Sequence, residues 1–227
     1  MNNQDISKFS ATELIKLINT KKITVTELIE STINKIQKIN PQTNAFVHLN
    51  FQQMHETAKN LDEKLDNNES IGPLYGIPIG VKDIFNTKDY PTEMGSSLWK
   101  GFTSGNDARV VHYVRIKNGI IAGKTETAEF AVDALGKSLN PYDAARSPGT
   151  SSSGSAIAVA TCMIPIALGT QTGASIIRPA SFCGIYGFKP SFGLIPRTGM
   201  LKTADTLDQI GFFARTPQDL ELFFNII

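Results

Sequence analysis

Apolar residues recur at helical spacing from the start of the chain. Leu14, Ile15, Leu17 and Ile18 form one group; Leu28, Ile29, Ile33, Ile36 and Ile39 form a second. Intervals of three and four put such residues on one helix face. Each group follows a hydroxyl residue with a glutamate three positions on, Ser10/Glu13 and Thr24/Glu27. That pattern predicts capping boxes: the hydroxyl accepts from an orphan backbone N–H, and the carboxylate accepts from the cap's own N–H. Pro41 has no N–H and is expected to stop the second helix. Phe51 to Leu65 predicts a third helix with a polar outer face. Reactive side chains are not concentrated in any of them, so residues 1–66 read as a helical scaffold.

The pattern changes beyond residue 72. Gly72-Pro73-Leu74-Tyr75-Gly76 is a turn, and Ile77-Pro78-Ile79-Gly80-Val81 is an apolar run ending in Lys82-Asp83. It predicts a buried strand that carries a lysine at its tip. Residues 88–106 are loop-like. Ala108 to Lys117 predicts a helix closed by Gly119, Ile120 to Gly123 a buried strand, and Thr125 to Ala134 a further helix. Ser147 to Ser155 is an unusual run of small residues, leading into a close-packed helix at Ala156 to Ala160. Ile164 to Leu168 is a strand candidate that opens into Gly169-Thr170-Gln171-Thr172-Gly173-Ala174-Ser175. Cys183 to Pro190 is strand-like again. Thr216-Pro217 starts a last helix well, leaving Leu220, Phe223, Phe224, Ile226 and Ile227 in need of cover. Strands alternating with helices predict an α/β fold, a sheet flanked by helices, with residues 72–227 as its core.

Composition narrows the function classes. Of 227 residues, 41% are hydrophobic and 19% charged, with a net charge of +1. Such a globular, nearly neutral chain carries no signal for nucleic acid or an anionic membrane. The N-terminus is polar and lacks a signal-peptide core. The longest apolar run, Ala156 to Leu168, is interrupted by Thr161 and Pro165 and falls short of the roughly 18 residues of a membrane span. A cytoplasmic protein is the default expectation. Cys162 and Cys183 stand in unrelated contexts, and His48, His55 and His112 are scattered. With no metal-ligand spacing and no disulfide framework, neither a metal nor another cofactor is implied.

Three segments can carry chemistry. The serine-rich loop can be a flexible linker, a phosphate cradle or a catalytic loop. Small residues let backbone N–H groups approach a ligand, although no Gly-Lys-Ser/Thr follows as a phosphate loop requires. The turn Thr172-Gly173-Ala174-Ser175 can aim several N–H groups at one point, with Ser175 as nucleophile, or can be an ordinary turn capped by that serine. A serine nucleophile needs a base, and no histidine is well placed. Lysine has an ordinary pKa of about 10.4, so a lysine base must be buried to be neutral near pH 7. Lys82 follows an apolar run and is the lysine best placed for burial; pairing with a carboxylate is the alternative.

Taken together, these segments resemble the amidase signature family. Gly76-Ile77-Pro78-Ile79-Gly80-Val81-Lys82-Asp83 is similar to the family's lysine-bearing segment. Ala122-Gly123-Lys124-Thr125 and Glu129-Phe130-Ala131 are similar to its next block. Asn140-Pro141-Tyr142-Asp143 leads into Pro148-Gly149-Thr150-Ser151-Ser152-Ser153-Gly154-Ser155, which resembles the glycine/serine signature. Gly169 to Cys183 and Gly187-Phe188-Lys189-Pro190 complete a likeness over most of residues 10–227. Some positions depart from the usual pattern. Thr150 and Ser153 stand where it has glycine, Gln171 replaces an aspartate and Ala174 a glycine. Ile177 replaces an arginine, with Arg178 one place later.

The resemblance implies a mixed sheet core flanked by helices and a hydrolase that cleaves the C–N bond of linear amides without a cofactor. It implies Ser175 as nucleophile, Ser151 as a relay serine preceded by a cis peptide, and Lys82 as base. Thr172, Gly173, Ala174 and Ser152 would face the substrate and its oxyanion. The departures place the A subunit of glutamyl-tRNA amidotransferase behind a stand-alone amidase. Members of the family run to about twice this length, so the chain is expected to be an N-terminal half, incomplete at its C-terminal end. It would then be part of a gene broken or split in two, or a boundary chosen for expression. An inactive or weakly active fragment is the competing reading. Its partner would be a separately encoded C-terminal half or a second copy of itself.

Overall fold

A computed structural model describes residues 5–69, 71–132 and 134–227. The first four residues of the expected scaffold and position 133 of the helix expected near Thr125 lie outside these ranges. Helices α1 (Ala11–Asn19) and α2 (Val25–Thr43) begin at Ser10 and Thr24, each with its capping box formed in full. Further carboxylates reach these helix starts from distant segments. Asp62, on α3 (Phe51–Asp66), accepts from the N–H groups of Val25 and Thr26, both at 2.8 Å. Asp219, on α7 (Pro217–Ile226), accepts from those of Ala11 and Thr12, both at 2.9 Å. Orphan donors at two helix starts thus hold the elements together.

Strands β1 (Phe46–His48), β2 (Pro78–Lys82), β3 (Ile120–Thr125), β4 (Ile166–Gln171), β5 (Tyr186–Phe188) and β6 (Gln209–Ala214) form one sheet, ordered β1-β3-β2-β4-β6-β5. The central β3, β2 and β4 run parallel, while β1 and the β6–β5 pair are antiparallel to their neighbours. The sheet is therefore mixed. Every residue of β2, β3, β4 and β6 is buried. Strands covered on both faces read as continuous apolar runs rather than alternation, which describes Ile77 to Val81 and Ile120 to Ala122. The β2–β3 register shifts after Ile79, pairing Val81 with Lys124 and Lys82 with Thr125. With the strand pleat, Lys82 and Lys124 leave opposite faces of the sheet.

Helix α4 (Arg109–Ile116) lies against β3, and α5 (Ser153–Ala160) packs on β2, β4 and β6. All of α5 but its last residue is buried, and only small residues allow that approach. A Cβ on Gly154 would lie 2.4 Å from both the Ala45 carbonyl oxygen and the Glu126 nitrogen. The Ser155 hydroxyl bonds the Leu168 carbonyl at 2.8 Å and the Thr125 hydroxyl at 2.6 Å, so the polar groups of α5 are matched to the strands. On α7, Phe223 is fully buried edge-on to Phe212, while Leu220 and Phe224 are half-buried around an apolar groove of about 340 Å³ with Phe188. Burying such a ring contributes about 2–3 kcal/mol.

Four local expectations are corrected. Pro41 does not stop α2, which runs to Thr43; the stop is Asn44, left-handed at φ 51°, whose N–H bonds the Asn40 carbonyl. The helix expected from Thr125 to Ala134 is a single 3-10 turn at Glu129–Ala131, with Phe130 and Ala131 at φ 49° and 60°. The strand expected at Ile164 begins at Ile166 and runs on through Gln171. Only Tyr186–Phe188 of the segment Cys183 to Pro190 is strand, because Cys183 closes α6 (Ile177–Phe182). Among the described residues no helix is long and apolar enough to cross a membrane.

Asp219 is fully buried and bonds two N–H groups and the Thr12 hydroxyl (2.8 Å). Asp219→Ala strands these donors, and we expect a loss of about 2–4 kcal/mol in urea unfolding. An unchanged midpoint would show that α1 and α7 are held by their apolar faces alone.

Candidate functional site

Lys82 ends β2 and is completely buried. Its Nζ lies 2.7 Å from Ser151 Oγ and 3.1 Å from Thr170 Oγ1. Burial among strands and α5 drives the amine's pKa from its ordinary 10.5 down to about 7; Glu126 and Asp208 pull it only partly back. Removing water from an ammonium penalises the charged form, and neither carboxylate touches the amine to offset that cost.

Ser151 is buried in the loop leading into α5, and the Thr150–Ser151 peptide that presents it is cis. Ser152, also buried, donates its hydroxyl to the Thr170 carbonyl at 3.1 Å and accepts from the Thr170 N–H at 3.3 Å. Its side chain therefore locks α5 to β4. Thr172, Gly173, Ala174 and Ser175 form the turn from β4 to α6, half-buried or exposed, with Ser175 half-buried. Thr172 Oγ1 donates to Asp208 Oδ1 at 2.5 Å, and Asp208 in turn takes the Thr203 and Ala204 N–H groups. Gln171 Oε1 accepts from the N–H groups of Ile176 and Ile177 at 2.9 and 3.0 Å, which fixes the chain just past Ser175.

Lys82 and Ser151 are thus in direct contact, and Ser175 sits on the turn that continues the strand bearing Thr170. No hydrogen bond joins Ser151 to Ser175 among the described residues. Thr170, Gln171, Asp208, Glu126 and Arg178 were not singled out for the site from sequence. Glu126 Oε2 accepts from the Ser138 and Ser153 hydroxyls, both at 2.7 Å, and so joins the signature loop to β3. A cavity of about 220 Å³ opens beside Gly149, Thr150 and Ser153.

The second buried lysine differs. Lys124 Nζ pairs with Asp83 Oδ1 at 2.9 Å and donates to the Pro91 carbonyl and the Thr92 hydroxyl. Burial lowers the Lys124 pKa and raises that of Asp83, while their mutual attraction opposes both shifts. The pair secures the loop after β2, since the Glu93 N–H also bonds Asp83 Oδ2 at 3.1 Å. Lys82, by contrast, has hydroxyl partners and no carboxylate partner among the described residues. Cys183 is a free thiol that donates to the Pro148 carbonyl, with its pKa pushed up to about 12 by burial. No cluster of His, Cys, Asp and Glu among the described residues could hold a metal ion.

The chain is similar to known proteins in both sequence and fold. The chain is 39% identical over 224 residues to the first A subunit of the glutamyl-tRNA(Gln) amidotransferase of Clostridium acetobutylicum, covering 96% of this chain and 46% of that relative. It superposes on the native peptide amidase of Stenotrophomonas maltophilia with a TM-score of 0.91 at 29% identity, over 97% of this chain and 48% of the other. A 6-aminohexanoate cyclic dimer hydrolase aligns with a TM-score of 0.88 at 28% identity, over 99% and 47%. The chain therefore spans about half the length of the curated relatives it matches. The sequence relatives include amidotransferase subunits and the structural neighbours include amidases, so the expected mixed-sheet fold is the one these neighbours share. The sequence profile described as Amidase matches residues 27–227, and the chain belongs to that family.

Proposed function

We propose that this chain carries the reacting groups of an amide hydrolase that forms an acyl-enzyme on Ser175. The observation that supports it most is the Lys82 amine, fully buried, 2.7 Å from Ser151 and able to shed its charge near pH 7. As a free amine, Lys82 has a lone pair for the Ser151 proton. Ser151 in turn takes the proton of Ser175 as Ser175 Oγ bonds to the amide carbonyl carbon. The carbonyl electrons move to oxygen, and the oxyanion rests on N–H groups of the Thr172–Ser175 turn. The proton returns through Ser151 to the amide nitrogen, the C–N bond breaks, and the amine leaves. Water then attacks the acyl carbon, its proton passing through Ser151 to Ser175 Oγ as the ester bond breaks, and a carboxylic acid departs. Protonating nitrogen at the moment of cleavage is what makes a poor leaving group depart.

In this reading Thr170 is a second hydroxyl that holds the Lys82 amine in place. Ser152 supports the loop rather than the oxyanion, because its hydroxyl is occupied by β4. Residues 1–66 serve as the helical scaffold and 72–227 as the part that carries the chemistry. The substrate is a small-molecule amide, linear or cyclic.

A second reading has two observations in its favour. The curated relatives are about twice as long, and they carry the name of an amidotransferase subunit. We infer that this chain acts with further polypeptide, either a separately encoded half or a second copy, that completes the pocket. Purified by itself, it should turn over simple amides weakly or not at all; robust turnover by the monomer contradicts this reading.

A fluorophosphonate probe should label wild type at Ser175 and leave Ser175→Ala unmodified, with the labelling rate rising through about pH 7 as Lys82 loses its proton. Equal labelling of both proteins ends the hydrolase reading. Stability supplies an independent check. Lys82 has a lowered pKa in the folded state, so between about pH 7 and 10.5 the unfolded chain binds the extra proton. Burial then costs about 1.4 kcal/mol per pH unit below 10.5, levelling off near pH 7. Lys82→Met removes that cost but orphans two hydroxyls. We expect it to be more stable by about 2–4 kcal/mol at pH 7, with the gap closing towards pH 10. A gap independent of pH in urea unfolding rules out a buried neutral amine.

A further inference from the structure

Two of the positions that depart from the family pattern meet in space. Arg178, three residues past Ser175, donates from Nε and Nη2 to the Thr150 carbonyl at 3.2 and 3.1 Å. The same Nη2 donates to the Thr150 hydroxyl at 2.7 Å. That carbonyl belongs to the peptide whose nitrogen is Ser151. The Arg178 N–H bonds the Ala174 carbonyl at 2.8 Å, so the guanidinium rides on the turn that carries Ser175. One side chain thereby links the backbone presenting Ser151 to the backbone presenting Ser175.

The surrounding contacts keep the two segments close. A Cβ on Gly149 would lie 2.7 Å from Pro179 Cα, so the signature loop rests on α6 without a side chain between them. Asn140 Nδ2 bridges the Ser147 and Phe182 carbonyls at 3.1 and 3.2 Å, tying the far end of the loop to the end of α6. A guanidinium is a planar fork that can bind a carbonyl and a hydroxyl together, which a lysine ammonium cannot match. A glycine at position 150 would offer the carbonyl but no hydroxyl. An arginine at position 177 would project about 100° away around the helix. The Thr150 hydroxyl and carbonyl together fit the fork of Arg178.

We propose that Arg178 and Thr150 form a positioning clamp that holds Ser151 in register between Lys82 and Ser175. The proposal rests on the serine–lysine reading above but is tested separately from it. The experiment measures fluorophosphonate labelling of Ser175 by mass spectrometry. It also follows hydrogen exchange in peptides covering residues 147–155 and 172–183, on the full 227-residue chain. Arg178→Ala should slow labelling roughly tenfold to a hundredfold, and Thr150→Val about tenfold. Thr150→Ser should keep the wild-type rate within about twofold, and the double variant T150V/R178A should be no slower than R178A alone. The pH midpoint of labelling should stay near that of wild type, because the clamp does not touch the amine; general loosening would wet Lys82 and move the midpoint up. Exchange should rise in both peptides for R178A and T150V and not for T150S.

Wild-type labelling by R178A or T150V, equal slowing by T150S and T150V, or a double variant slowed by the product of the single effects overturns the clamp. If R178A does not fold, the comparison of the isosteric T150V with the hydroxyl-keeping T150S decides the matter. If wild type itself is not labelled, the serine–lysine reading fails. The clamp is then judged by exchange alone, where no rise in R178A and T150V overturns it.

Discussion

An amine held out of water is the constraint on which the surrounding structure turns. The Lys82 ammonium would be stable in solvent and useless as a base, so burial on every side is needed. That requirement explains the all-buried β2, β3 and β4 and the small residues of α5, which can lie flat on the sheet only because side chains are nearly absent there. It also explains the separation of charges. Asp83 adjoins Lys82 in sequence but pairs with Lys124 on the other face, so among the described residues no carboxylate bonds the Lys82 amine. A direct pair would keep the ammonium form and remove the base.

How legible this was depended on the range of each interaction. Helix starts are local: a hydroxyl and a glutamate three residues apart meet through one turn, and both capping boxes formed as read. The lysine at a strand tip was legible because a run buried on both faces is apolar throughout. Pro41 misled because proline disrupts a helix through the carbonyls behind it; the chain could finish its last turn and stop at Asn44. The segment after Thr125 misled because its composition suits a helix while Glu126 is claimed by Ser138 and Ser153. The antiparallel β1 and β6 were not legible, since their partners lie far along the chain.

Within the site, residue type gave Lys82, Ser151 and Ser175 as candidates, and it gave nothing for their supports. Thr170, Gln171 and Arg178 act through contacts whose partners are set by the fold: Nζ of Lys82, the N–H groups past Ser175, and the Thr150 carbonyl. Arg178 was visible only as an arginine one place out of step. Its displacement becomes intelligible once folding brings it to the Thr150 hydroxyl.

The carboxylate of Asp219 has a consequence for how the chain is made. It binds N–H groups of residues 11 and 12, and the Arg215 guanidinium donates to the carbonyls of Ser7 and Phe9 as well as to those of Val159 and Ile164. Asp219 and Ala11 are 208 positions apart, as are Arg215 and Ser7. During synthesis the start of the first helix waits for these hydrogen-bond partners until residues 215 and 219 have been made. Contacts of such long range slow folding and leave nascent surfaces open to capture. The docking of the first helix thus hangs on two side chains near residue 217.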